Sequence, residues 1–170
     1  MWWFYLNTRI YEVYVEGADS DKYICLESQR LVYSNKPPSN CARFFGEIPY
    51  EKAVDFIDLE KAVITRSILI LHEEPSSRKL EGCIIEADTP LCLQEVRGRF
   101  IYFLVDEESR VEKGEVIAYH VTSKFEVRSI KSKCSGQVAL IIDMPWEIPR
   151  KALIVVITSE CRRVVVEKSA

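Results

Sequence analysis

The strongest constraint on this chain is an internal repeat in its second half. Val96-Arg-Gly98-Arg-Phe-Ile-Tyr-Phe-Leu-Val105 leads through an acidic turn to Val111-Glu-Lys-Gly114-Glu-Val-Ile-Ala118. Cys134-Ser-Gly136-Gln-Val-Ala-Leu-Ile-Ile142 leads through a second turn to Ile148-Pro-Arg-Lys151-Ala-Leu-Ile-Val155. Gly98 to Val111 is 13 residues and Gly136 to Ile148 is 12, so the two segments superpose with a difference of one. Each reads as strand, turn, strand. A strand pair cannot bury its apolar face alone, and two such halves close on one another as a flattened barrel. Gly98 and Gly136 are expected to open equivalent strands. Gly114 follows a turn, where a residue without Cβ allows a tight bend.

The first half is β-rich as well. Tyr11-Glu-Val-Tyr-Val15 alternates, and Lys22 to Leu26 is a short apolar run; turn formers at Gly17–Asp21 separate them. Ser34-Asn-Lys-Pro-Pro-Ser-Asn40 is a loop, since two prolines remove two backbone donors. Pro49 suits the first position of a helix, and Tyr50, Ala53, Val54 and Ile57 then share one face. A short helix is therefore expected near 49–62, with Ile64 to His72 following as a buried strand. Ala87-Asp-Thr-Pro90 punctuates the chain again. The expected fold class is α+β, mostly β, with a β-rich region over 1–88, a barrel-like domain over 89–160 and a strand or tail over 161–170.

The order Gly98, Val105, Val111, Gly114, Lys124, Gly136 resembles the signature of the biotinyl/lipoyl carrier family over about residues 90–158. That family's barrel-sandwich hybrid fold pairs two halves and presents a lysine at the tip of the hairpin joining them. The resemblance therefore implies this fold for the C-terminal half and makes Lys124 the residue for covalent attachment of biotin or lipoate. The local sequence departs from the pattern. Val121-Thr-Ser-Lys124-Phe125 stands where biotin carriers have Met-Lys-Met, and it is nearer the Thr-Asp-Lys-Ala of lipoyl carriers. Glu108 occupies the family's glycine position before the turn, and Lys151 another. The strand after Lys124 is one residue longer than the norm, and its apolar residues change face between Val127 and Ile130. An added residue with a phase switch predicts a β-bulge near Arg128-Ser129. The whole chain is also similar to an uncharacterised archaeal protein family carrying a domain of unknown function.

Composition narrows the function. A net charge of −3 gives no global field for nucleic acid. Residues 1–97 carry 11 Lys+Arg against 16 Asp+Glu, and residues 98–170 carry 12 against 10. Lys124, Arg128, Lys131 and Lys133, interrupted by Glu126, form a local basic cluster suited to a solvated face or an acidic partner. The chain start shows no charged leader, and no segment reaches the roughly 18 apolar residues of a membrane span. A cytoplasmic protein that contacts neither membrane nor nucleic acid is expected. Its six cysteines lack any Cys-x-x-Cys spacing, so they are read as reduced, mostly buried thiols, and no metal ligands are assigned.

No catalytic residues emerge either. His120 and Cys134 near Lys124 lack an orienting acid, and His72 reads as a strand-boundary residue. Trp2, Trp3, Phe4 and Tyr5 form an aromatic cluster suited to a core or a subunit contact, and Trp146 another contact at a turn. The leading expectation is a non-enzymatic protein-interaction or assembly module, with a protein partner or homo-oligomer, Lys124 unmodified and no cofactor. The alternatives are a biotin- or lipoyl-type carrier acting through Lys124, and a small enzyme using an interdomain cleft.

Overall fold

A computed structural model describes residues 9–27, 30–36 and 39–167. The Trp2–Tyr5 cluster lies outside the described residues. The chain folds into two compact units. The first draws on the described residues of 1–53, 65–88 and 161–170, and the second on 54–64 and 89–160.

The first unit is a closed seven-stranded barrel. It contains β1 (Tyr11–Glu16), β2 (Tyr23–Glu27), β3 (Arg30–Ser34) and β4 (Arg43–Ile48), with β7 (Ile68–Glu73), β8 (Leu80–Ile85) and β16 (Arg162–Glu167). The order is β1-β4-β2-β3-β16-β8-β7, closed by β1 against β7. Period-two alternation fills the interior: Tyr14, Ile24, Leu26, Leu31, Phe45, Leu69, Leu71, Ile84 and Val166 form one buried cluster. Closure leaves no sheet edge to protect. The pairing of β3 with β16 is parallel, which only a long excursion of the chain between them permits.

The expected helix is shorter than the apolar pattern indicated. A 3-10 helix covers Tyr50–Phe56, and β5 (Ile57–Asp58) and β6 (Val63–Ile64) then form a small hairpin. Asp58 explains the stop. Its Oδ1 accepts hydrogen bonds from the Glu60 and Lys61 N–H groups at 3.0 and 2.9 Å, which fixes a turn there. Consequently Ile64 belongs to β6, and the buried strand leading to His72 starts only at Ile68.

The second unit stacks two sheets. One runs β11 (Arg110–Val111), β14 (Gly136–Met144), β15 (Arg150–Ile157), β9 (Leu91–Gly98). The other runs β10 (Phe100–Phe103), β12 (Val116–Val121), β13 (Val127–Lys131). Between them lies a cluster that includes Val96, Ile101, Val111, Ile117, Val138, Ala152, Ile154 and Val156. Buried Gln94 ties the sheets together. Its Nε2 donates to the Lys131 carbonyl at 2.8 Å, and its Oε1 accepts from the Lys133 N–H at 3.1 Å.

All six cysteines are paired, which overturns the expectation of reduced thiols. The bonds are Cys25–Cys41, Cys83–Cys161 and Cys92–Cys134. Partners are 16, 78 and 42 residues apart, so no short spacing announces them. Register brings them together: Cys25 lies in β2 with Cys41 just before its neighbour β4, and Cys83 lies in β8 with Cys161 just before its neighbour β16.

Candidate functional site

Lys124 sits on the hairpin between β12 and β13, where Val121 pairs with Val127. Residues 122–126 form the loop. The Phe125 N–H donates to the Thr122 carbonyl at 2.9 Å, and the Thr122 N–H donates to the Glu126 carbonyl at 2.8 Å. Thr122 Oγ1 adds a third tie by accepting from the Glu126 N–H at 3.2 Å. Lys124 is exposed at this tip. Phe125 beside it adopts φ 63°, a left-handed conformation rarely taken by a bulky side chain. Its ring is exposed, with the Arg99 guanidinium 4.6 Å from the ring centre.

The glycines take distinct places. Gly114 has φ +91° in the turn between β11 and β12, a conformation for which an L side chain is poorly suited. Gly136 opens β14, where an added Cβ would lie 2.2 Å from the Ile157 carbonyl oxygen. Gly98 instead closes β9, and the chain turns there into β10 in the other sheet, with His120 packed against it. The apparent single strand Val96–Val105 is therefore two strands.

The expected bulge near Arg128-Ser129 is also displaced. Tyr119, His120 and Val121 pair continuously with Ser129, Arg128 and Val127. The register shifts on the partner strand, between Val116 and Ala118, leaving Ile117 as the additional residue. Ile117 is buried, so the bulge turns an apolar side chain into the core. The face change between Val127 and Ile130 needs no extra residue in β13: regular alternation puts Val127 on the exposed face and Ile130 against the core.

The β10–β12–β13 sheet has two unlike faces. Ile101 and Ala118 are buried on one face, joined by the bulged Ile117. On the other face, cross-strand rows join Phe100 with Val121 and Val127, and Tyr102 with Tyr119 and Ser129. Phe100, Tyr102, Leu104, Tyr119 and Val127 are 38–67% exposed. An exposed, contiguous set of large apolar side chains is uncommon on a soluble monomer. The internal repeat marked β12 as a strand and the carrier resemblance marked β13, but neither revealed that their outer face is apolar.

Charge borders this face. β13 is an edge strand carrying Arg128 and Lys131. Arg128 pairs with Glu126 at 2.9 Å, while Lys124, Lys131 and Lys133 are exposed. Beyond its end, β10 leads into the turn Asp106-Glu107-Glu108, whose Glu108 N–H donates to the Val138 carbonyl of β14 at 2.8 Å. A second exposed apolar pair stands on the β14–β15 turn: Trp146 is 61% and Ile148 95% exposed. Ile148 thus precedes β15 rather than beginning it.

The other residues weighed for chemistry are engaged structurally. His120 Nδ1 lies 2.6 Å from the Arg97 carbonyl oxygen. Cys134 is held in its disulfide with Cys92. In the barrel, Arg43 contacts Glu16 at 2.6 Å and forms a two-pronged pair with Glu86 at 3.0 and 2.8 Å. The Arg43 hydrogen bonds hold the Glu86 carboxyl below its usual range, helped by the Ser67 hydroxyl, while partial burial opposes them. His72 is 2% exposed and stands between Tyr11 on β1 and Glu81 on β8. Among the described residues, no helix is long and apolar enough to cross a membrane.

A family model described as an uncharacterized protein conserved in archaea (DUF2118) matches residues 8–160. No curated protein matches the chain.

Proposed function

We propose that this chain, which belongs to that archaeal family, is a non-enzymatic assembly module that associates with a second copy of itself through the outer β10–β12–β13 face. The carrying observation is the row of exposed Phe100, Tyr102, Tyr119 and Val127 on a hydrogen-bonded sheet. Aromatic side chains on such a frame bury much area at little entropic cost, which suits an interface core. Charge selects the second copy as occupant. A two-fold axis along the central strand β12 sets the β13 edge of one copy, with Lys131, beside the β10 end of the other, which leads into the acidic turn 106–108. Apolar centre and opposite-charge rims are then satisfied together.

This reading takes the second unit as a barrel-sandwich of the biotinyl/lipoyl carrier type with Lys124 unmodified. Two facing sheets, with the lysine on a hairpin tip, support it. Glu108 supports it too: φ 70° at this position is the conformation that the carrier family's glycine would favour. The reading keeps the protein in the cytoplasm, where intracellular proteins of hyperthermophilic archaea provide precedent for disulfides.

The test is light scattering of the full chain across a concentration series. The wild type should form a dimer, and Phe100→Ser with Tyr102→Ser should give a folded monomer. A wild type that stays monomeric throughout, or a variant with unchanged assembly, overturns the proposal. A second reading, covalent carriage on Lys124, draws on the exposure of that lysine on its tight turn. Peptide mass mapping of protein from its native host should then show added mass on Lys124, and a bare lysine sinks this reading.

A further inference from the structure

The barrel holds a cluster separate from the face just described. The β7–β8 register places His72 directly opposite Glu81. Glu74, two residues beyond His72, projects toward the same side, since side chains alternate along an extended chain. The hairpin fixes it there: the Glu74 N–H donates to the Lys79 carbonyl at 2.9 Å, and the Arg78 N–H to the Glu74 carbonyl at 2.8 Å. One donor atom from each of His72, Glu74 and Glu81 lies within 4.8 Å of the others. His72 is almost fully buried, while the two carboxylates are partly exposed.

The spacing decides what such a cluster suits. His72 Nε2 and a Glu74 carboxylate oxygen are 3.7 Å apart, too far for a hydrogen bond. Two ligands of one ion, with bonds of about 2.1 Å at the tetrahedral angle, stand roughly 3.4 Å apart. The observed gap is therefore near that of two ligands sharing an ion. Charge points the same way. Two carboxylates converge on one imidazole, and Arg9, paired with Glu74 at 3.4 Å, is 43% exposed, so the pair offsets little. A nitrogen with two oxygens on a hydrogen-bonded hairpin fits a borderline divalent ion, with water completing its shell.

We propose that His72, Glu74 and Glu81 form a binding site for a divalent transition-metal ion of the Zn2+ class. The chain contains two histidines, so the ring signals of His72 and His120 can be followed separately by NMR. The oxidised full-length chain, stripped with chelator, is titrated with Zn2+ by calorimetry and by NMR. One equivalent should bind, shifting the His72 ring signals and leaving those of His120 in place. Glu81→Gln and Glu74→Gln should each weaken binding at least ~10-fold, whereas Glu47→Gln, elsewhere in the barrel, should not. His72→Asn should abolish the site. If this buried substitution prevents folding, the two glutamate variants and the ring signals still decide. Absence of binding, binding unchanged in the glutamate variants, or a shift confined to His120 overturns the proposal.

Discussion

The barrel and the two-sheet unit solve the same problem differently. Both bury alternating apolar strands, yet their surfaces are unlike. Of eleven exposed large apolar residues among those described, Ile10 and Val165 belong to the barrel and the other nine to the two-sheet unit. The barrel also holds two of the three disulfides and the Arg43 network. A closed sheet with internally paired charges is complete on its own terms. The two-sheet unit covers one face of β10–β12–β13 and leaves large apolar side chains exposed on the other, the face that the proposed dimer would bury. Cross-links and ion pairs concentrate in the barrel, and uncovered aromatics in the two-sheet unit.

The largest effect should come from the barrel's longest cross-link. Cys83–Cys161 closes a loop with a separation of 78 residues, against 16 for Cys25–Cys41. The chain-entropy relation assigns the two about 4.5 and 3.1 kcal/mol. Cys83→Ser with Cys161→Ser should therefore lower stability more than Cys25→Ser with Cys41→Ser in denaturant melts. The reverse order would show that native packing, rather than loop closure, sets the contribution of these bonds.

Matched apolar deletions sharpen the contrast. Leu69 is fully buried inside the barrel, and Leu69→Ala should cost about 2–5 kcal/mol through lost transfer energy and a residual cavity. Phe100→Ser removes a larger side chain but should cost less in the monomer, about 1 kcal/mol, because the ring is already half in water. The Phe100 change should appear as weaker dimerisation. A large loss of monomer stability would mean that the exposed face is covered within the chain, and the comparison would fail.

Much of this difference was hidden in the sequence for physical reasons. Alternation at Tyr11–Val15 revealed a strand because a single buried face imposes period two. Lys124 was expected on a hairpin tip only through the carrier resemblance, and it lies on the hairpin in which Val121 pairs with Val127. The cysteine pairs were not, since six cysteines allow fifteen pairings and the choice depends on register between distant strands. The bulge shows a subtler limit. The face change in β13 is ordinary alternation in a strand with apolar residues on both faces, while the additional residue is Ile117 on β12, where no sequence signal marked it. The outer aromatic face was illegible for another reason. Phe100 and Ile101 are both apolar, and only sheet geometry shows which one meets water.

A pH series probes the barrel's charge network at smaller scale. Glu86 has a lowered pKa in the folded protein, so its contribution is present above the unfolded carboxyl value near ~4.3 and is lost as pH falls through the folded value. Arg43 and Glu86 side chains are 29% and 49% exposed, which limits the pair to about 1 kcal/mol. Arg43→Met should lower the melting temperature by a few degrees at neutral pH. The gap from wild type should narrow below pH ~4. A gap independent of pH would assign the loss to packing of Arg43 over Phe45, 5.5 Å from the guanidinium carbon.

The smallest effects discriminate most finely within the two-sheet unit. Glu108 and Phe125 both adopt left-handed backbone, with φ of 70° and 63°. Glycine removes a steric cost of roughly 1–2 kcal/mol at such positions but returns part of it as unfolded-state entropy. Each change to glycine should thus stabilise the monomer by about 0.5 kcal/mol, a rise of a degree or two. Their effects on assembly should part company. Glu108→Gly removes one rim carboxylate and should barely change dimerisation at physiological salt, where rim charges are screened. Phe125→Gly removes an exposed ring beside the apolar rows and should weaken the dimer despite the firmer monomer. If Phe125→Gly gains stability with no loss of association, the aromatic is not part of the interface. Its strained backbone would then belong to the Lys124 turn alone.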